Sequence, residues 1–273
     1  MALFSEKLKK AIQRTQGCLC VGLDVDLAKM PKNLPHDGEG ALKFCRSIID
    51  ATRDLAVAYK PNMAFFESLG VQGFEVLELL RQSIPHDVLF VMDAKRGDIG
   101  NTSQAYAKAF YGLLKSDGLT LSPYMGKDSI DPFLEYPGTC SFVLCLTSNP
   151  SSADFQLQTL QSGEKLYEKV AKTAMVWAEG KKGEIGLVVG ATQTQYLKDL
   201  RQLAPRTTFL VPGVGTQGGD LQGVLKEGRN KEGFGILVNV SRQILYASTE
   251  NNFADAAREQ AKNLVAEMKP YFS

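Results

Sequence analysis

The chain has 273 residues, 44% of them hydrophobic and 22% charged, and a formal net charge of +1. Those proportions fit a soluble globular protein with a large core, and the length fits one α/β barrel. A near-zero charge without a long run of one sign removes the general electrostatic drive toward nucleic acid or an anionic membrane, yet leaves room for a local site for a small anion.

In chain order, residues 1–17 read as a short amphipathic helix. They lack the apolar block of a signal peptide, and no stretch of the chain is long enough to span a bilayer, so a cytoplasmic protein is expected. Short runs rich in Val, Leu and Ile follow at 19–23, 56–59, 88–92, 119–121, 142–146, 185–189, 208–211 and 235–240. Such runs are how strands buried on both faces look. Helical spacing fills 41–54, 73–82, 102–114, 166–179, 194–203, 220–227 and 253–268, with a weaker turn or two at 129–134. Residues 30–40 read as a loop, and 148–163 as a long polar connection suited to a lid over a site. Eight strands alternating with helices predict a (β/α)₈ barrel, class α/β, with 1–273 as a single domain. An open doubly wound sheet is the alternative. The first strand is followed by Leu23-Asp24-Val25-Asp26, which is not a glycine-rich dinucleotide fingerprint. The five cysteines (Cys18, Cys20, Cys45, Cys140, Cys145) include no CxxC pair and are remote in sequence from His36 and His86. They read as buried free thiols in a reducing compartment, with no metal site expected.

In a barrel the chemistry sits where the strands end. Those ends carry Asp24, Lys60-Pro61-Asn62, Asp93-Ala94-Lys95-Arg96-Gly97-Asp98, Ser122, Thr147-Ser148-Asn149, Pro212-Gly213 and Asn239-Val240-Ser241-Arg242. Asp93 and Lys95 are two apart, so on a strand both face the barrel mouth, and Lys60 on the neighbouring strand is placed to join them. Burying such charges is costly unless they are paired, and here opposite signs sit together. Taken singly, Asp93 and Lys95 suit a structural ion pair, and Asp98 suits a helix cap. The second cluster is 211–220, where glycines let backbone N–H groups approach an anion ahead of a helix N-terminus. Arg242 at the next strand end is suited to clamp a phosphate.

Asp93-Ala94-Lys95-Arg96-Gly97-Asp98-Ile99 resembles the DxKxxDI signature of the orotidine 5'-monophosphate decarboxylase family, in the form of its longer bacterial-type branch. The resemblance runs over nearly the whole chain, through Gly22-Leu23-Asp24, Lys60-Pro61-Asn62, Leu146-Thr147-Ser148-Asn149, the 211–219 loop and Arg242. Val25 stands where many members carry Pro. A sister family of magnesium-using sugar-phosphate decarboxylases shares the Asp-x-Lys core, but the Lys60-Pro61-Asn62 pattern and the uninterrupted Lys-Arg-Gly-Asp run point away from it.

The resemblance implies decarboxylation of orotidine 5'-monophosphate to UMP with no cofactor and no metal. It implies that Lys95, Asp93, Asp98 and Lys60 form the catalytic set, with Lys95 protonating carbon 6 and Asp93 lying near the departing carboxylate. Lys60 and Asp24 would contact the ribose, with Asn62 close by, and Ser148 would read the pyrimidine. Pro212, Gly213, Gln217, Gly218 and Arg242 would hold the phosphate. Asp98 and Thr102 would reach into a partner's site, so a homodimer is implied. Two other readings stay open: a Schiff-base lyase using Lys60 or Lys95, and a nucleotide-binding barrel without turnover.

Overall fold

A computed structural model describes residues 2–192, 194–215 and 218–272. Eight parallel strands close into a barrel in sequence order. They are β1 (Leu19–Gly22), β2 (Ala58–Lys60), β3 (Leu89–Arg96), β4 (Gly118–Leu121), β5 (Cys140–Leu146), β6 (Glu184–Val189), β7 (Thr208–Pro212) and β8 (Ile236–Val240). β1 pairs with both β2 and β8, through Cys20↔Ala58 and Cys20↔Asn239, and so closes the ring. The apolar runs are buried on both faces because helices cover the outside while side chains fill the inside.

The helices are α1 (Phe4–Thr15), α2 (Gly38–Thr52), α3 (Met63–Glu67), α4 (Val71–Ser83), α5 (Gly100–Ala107), α6 (Leu166–Trp177), α7 (Thr194–Leu203), α8 (Leu221–Gly228), α9 (Arg242–Leu245) and α10 (Phe253–Met268). Most match the periodic stretches of the sequence. The expected 102–114 helix is instead α5 continued by a π-helical segment, Lys108–Leu113. The short α3 and α9 were not expected, because four or five residues carry too little periodicity to register. The 129–134 stretch forms two 3₁₀ turns.

The end of the barrel where the strands begin is closed. The α1 side chains Phe4, Leu8 and Ile12 are buried, and Phe4 meets Phe142 of β5 edge-on at 5.6 Å. Lys7 of α1 binds Asp117 and the Gly138 carbonyl, just before β4 and β5, and Arg14 reaches the Ala56 carbonyl before β2. At the same end the half-buried Arg201 guanidinium donates to the carbonyls of Ala204, Thr207, Gly228 and Gly235 and lies over the Phe209 ring at 3.7 Å. Burial lowers its pKa to about 9, which still leaves it charged at neutral pH. The polar strand ends are therefore all left to the opposite, open mouth.

Candidate active site

Asp93 lies near the C-terminal end of β3, and every donor around it comes from a different strand or a bent backbone. Lys60, the last residue of β2 and only 3% exposed, places Nζ 2.9 Å from Asp93 Oδ2 and 3.9 Å from Asp24 Oδ1. Lys95 places Nζ 2.6 Å from Asp93 Oδ1. The Thr120 hydroxyl, on β4, donates to the same oxygen at 2.8 Å. Burial alone would raise the Asp93 pKa, but the charges of Lys60 and Lys95 and their hydrogen bonds outweigh it and hold the carboxyl well below the usual range. For Lys60, burial favours the neutral amine, and the Asp93 and Asp24 carboxylates override it, so its pKa rises and the ammonium is kept.

The contact between Asp93 and Lys95 agrees with the expectation from alternation, but the backbone reaches it another way. β3 changes register against β4 between Met92 and Arg96, and Lys95 has φ 49°. A lysine in the left-handed region inside a strand marks a bulge, a device that re-aims a side chain. The Lys95 N–H then donates to Thr120 Oγ1 at 3.0 Å. Asp98 accepts from the Ile99 amide at 2.8 Å, yet α5 has no side-chain cap, so the cap reading of Asp98 is not what the fold uses.

Around this centre a cavity of about 190 Å³ is lined by Asp24, Lys60, Asn62, Asp93, Pro212, Gly213 and Arg242, all expected from the sequence, and by Val214, Asn239 and Ser241. That is smaller than the ~300–1,000 Å³ usual for a small-molecule pocket, so a nucleotide there would also cover the rim. The Asn62 carbonyl oxygen caps α3 by accepting from Ala64 N, which leaves its amide hydrogens for the cavity. The Asp24 carbonyl is fixed by the Tyr246 hydroxyl at 2.8 Å. Gly22 is required by a close approach: a Cβ there would lie 1.9 Å from Ser241 Oγ. Asp24 Oδ1 and Asn239 Oδ1 are buried without a hydrogen-bond partner among the described residues, Asp24 Oδ1 keeping only its long ion pair to Lys60, so two acceptors beside the cavity lack a donor.

Lys95 borders the cavity through Asp93, with its own side chain about half exposed. Asp98 is half-buried and Thr102 exposed, both outside the cavity lining, and half-buried Ser148 also lies outside it. In the glycine loop, Gly213, Gly215 and Gly218 all have positive φ, as a tight anion loop requires. The Gly218 N–H, expected at the phosphate, donates instead to the Gly215 carbonyl at 2.8 Å. Gln217 lies outside the described residues. The 148–163 connection carries a 3₁₀ turn (Pro150–Asp154), and Gln156 ties it back by accepting from the Thr147 amide at 2.7 Å. Asn239 and Ser241 stood among the polar strand ends without a role, and Thr120 was not singled out from the sequence. Thr120 sits inside an apolar strand run, and a lone hydroxyl there was the available signal.

The fold and site define a (β/α)₈-barrel enzyme whose chemistry lies among ion-paired lysines and aspartates at the strand ends. Residues 17–258 match the profile of the Orotidine 5'-phosphate decarboxylase / HUMPS family, and the chain belongs to that family. It is 49% identical over 264 residues to an orotidine 5'-phosphate decarboxylase of Dehalococcoides mccartyi, covering 96% of this chain and 95% of the relative. A Parabacteroides distasonis orotidine 5'-phosphate decarboxylase is 46% identical over 270 residues, covering 97% and 95%. Among solved structures, Leishmania donovani OMP decarboxylase superposes with a TM-score of 0.86 at 38% identity, covering 99% of this chain and 98% of the other. Leishmania donovani UMP synthase gives 0.89 at 39% identity, and there the chain spans 57% of the longer protein.

Proposed function

We propose that this chain converts orotidine 5'-monophosphate to UMP and carbon dioxide. The observation that carries the reading is the Lys60–Asp93–Lys95 ion-paired network at the barrel mouth, in a chain of this family. In the reaction the bond from carbon 6 to the carboxylate breaks and its electron pair stays on carbon 6. The Lys95 ammonium stabilises that developing charge and then gives carbon 6 a proton, which it regains from water. Asp93 holds Lys95 in place and stands near the departing carboxylate. Lys60, Asp24 and Asn62 bind the ribose, Ser148 faces the pyrimidine, and Arg242 with Pro212 and Gly213 binds the phosphate. The glycine loop contributes through Gln217 and Gly218 once the phosphate reorients it.

Each Asp93 oxygen accepts from an ammonium, an arrangement that suits charge stabilisation by lysine better than a metal-ligand set. A Schiff-base lysine must be partly neutral, and Lys60 is held cationic by two carboxylates, which disfavours that reading. The reading also includes a homodimer with Asp98 and Thr102 completing the partner's site, since both stand outside their own cavity beside the half-exposed Ile99. Five free, buried cysteines support a cytoplasmic location. No helix of the described residues is long and apolar enough to cross a membrane.

The test is a spectrophotometric assay with orotidine 5'-monophosphate in chelator-containing buffer, comparing wild type with Lys95→Ala. Loss of substrate absorbance by wild type alone is expected. A folded wild type without turnover overturns the assignment, and metal addition then separates magnesium-dependent chemistry from simple binding.

A further inference from the structure

The Thr120 hydroxyl has both of its hydrogen-bonding directions fixed. The Lys95 amide can only donate, so Thr120 Oγ1 accepts from it at 3.0 Å. An ionised carboxylate can only accept, so the single Thr120 proton goes to Asp93 Oδ1 at 2.8 Å. Thr120 itself is 1% exposed, so water does not substitute for either bond. The two groups it joins are also joined directly, through Lys95 Nζ and Asp93 Oδ1 at 2.6 Å. The hydroxyl thus closes a small ring that runs from the Lys95 amide, through Thr120 and Asp93, back to the Lys95 ammonium.

This ring sits on the one stretch of β3 where the ladder to β4 fails. The register slips between Met92 and Arg96, and Lys95 adopts φ 49°. A left-handed non-glycine residue is strained and persists only where its surroundings over-determine it. The slip removes the regular ladder partner of the Lys95 amide, and a side chain of the opposing strand replaces it. Without that hydroxyl, the Lys95 N–H would lose its partner on β4 and the backbone would be free to leave the bulge.

We propose that Thr120 is a positioning residue for the reaction: its hydroxyl locks the Lys95 bulge onto Asp93 and so sets where the Lys95 ammonium points. The proposal rests on the decarboxylase reading. Thr120 touches the lysine backbone and the aspartate, so its loss acts on the alignment of the proton donor and leaves ribose and phosphate contacts alone. Misalignment of a reacting group by about 1 Å costs up to about 10²-fold in rate.

The experiment compares wild type, Thr120→Ser, Thr120→Val and Thr120→Ala in steady-state decarboxylation, with thermal melting and UMP affinity measured on the same samples. In Thr120→Val and Thr120→Ala, kcat is expected to fall between about 10-fold and about 10²-fold, with KM and UMP affinity within about 3-fold of wild type. Thr120→Ser keeps the hydroxyl and is expected to restore most of kcat. Using two hydroxyl-free variants of different size keeps the reading clear if one of them folds poorly. Unchanged kcat in a folded hydroxyl-free variant overturns the proposal. So does a Thr120→Ser enzyme as slow as Thr120→Val, or a loss seen in KM alone. An inactive wild type instead overturns the decarboxylase reading itself, so the two failures are distinguishable.

Discussion

Asp93 is the residue on which the site turns: it accepts from Lys60, Lys95 and Thr120 at once. Its pairing has a consequence for stability. A carboxyl held below its unfolded value contributes stability that is complete above about pH 3.9 and is lost as pH falls through the folded pKa. Lys60, raised above its unfolded value, contributes stability that is complete below about pH 10.4 and is lost only as pH rises further. At neutral pH both contributions are therefore present. Asp93→Asn removes the carboxylate from two ammonium groups, one of them buried, and is expected to destabilise by about 3 kcal/mol, the lower end for breaking a buried pair. Urea unfolding of both proteins across pH checks this: the gap should hold through neutrality and narrow below about pH 4, where the carboxyl of the unfolded wild-type chain begins to take up protons while the folded one still resists. A gap that stays constant into acid contradicts the pairing as the cause. The charged members of this network were legible in the sequence because Asp, Lys and Asp at strand ends are costly to bury. Thr120 was not, since threonine is an ordinary strand residue and only the slipped register shows what its hydroxyl does.

At the scale of elements, the eight strands were legible because apolar runs of three to six residues between helical stretches are what a two-sided burial demands. What escaped was local. The π-helical segment Lys108–Leu113 keeps the apolar spacing of an α-helix, so its sequence looks regular. The β3 bulge keeps the Asp93–Lys95 contact that a straight strand would also suggest. The proposed phosphate rim is the element pair of the β7–α8 loop and α9. Arg242 begins α9, and Gly215 packs so closely on Gln243 of the same helix that a Cβ would lie 2.2 Å from its Oε1. The loop and the arginine are thereby held as one unit. Because Arg242 is exposed at the rim, its truncation removes no core contact and should leave folding intact. Arg242→Ala is expected to lower kcat/KM by about 10²-fold or more, since binding energy from the non-reacting phosphate positions the reacting carbon. Steady-state kinetics on the folded variant check it, and wild-type efficiency there would remove Arg242 from the phosphate site.

The molecule as a whole divides its two ends. α1 and Arg201 close the end where the strands begin, which is the stability face of such a barrel. The other end is open. Lys95 is about half exposed and Ile99 50% exposed, while the chemistry assigned to Lys95 gains strength only where water is excluded. The 148–163 connection, tied to Thr147 by Gln156, stands on the β5 side of the mouth. A second copy laid across the β3 side would cover Ile99 and carry its own Asp98 and Thr102 toward Lys95. In a two-fold dimer of that kind each site needs Lys95 from one chain and Asp98 from the other. Lys95→Ala and Asp98→Asn chains, each impaired alone, should then complement when co-expressed. A mixed dimer holds one site with both substitutions and one with neither, so random pairing should restore about a quarter of wild-type activity. Size-exclusion chromatography of the mixture should show the dimer. Purified mixed protein no more active than the two single variants would show that each barrel works with its own Asp98, and the open mouth would then have to close within a single chain.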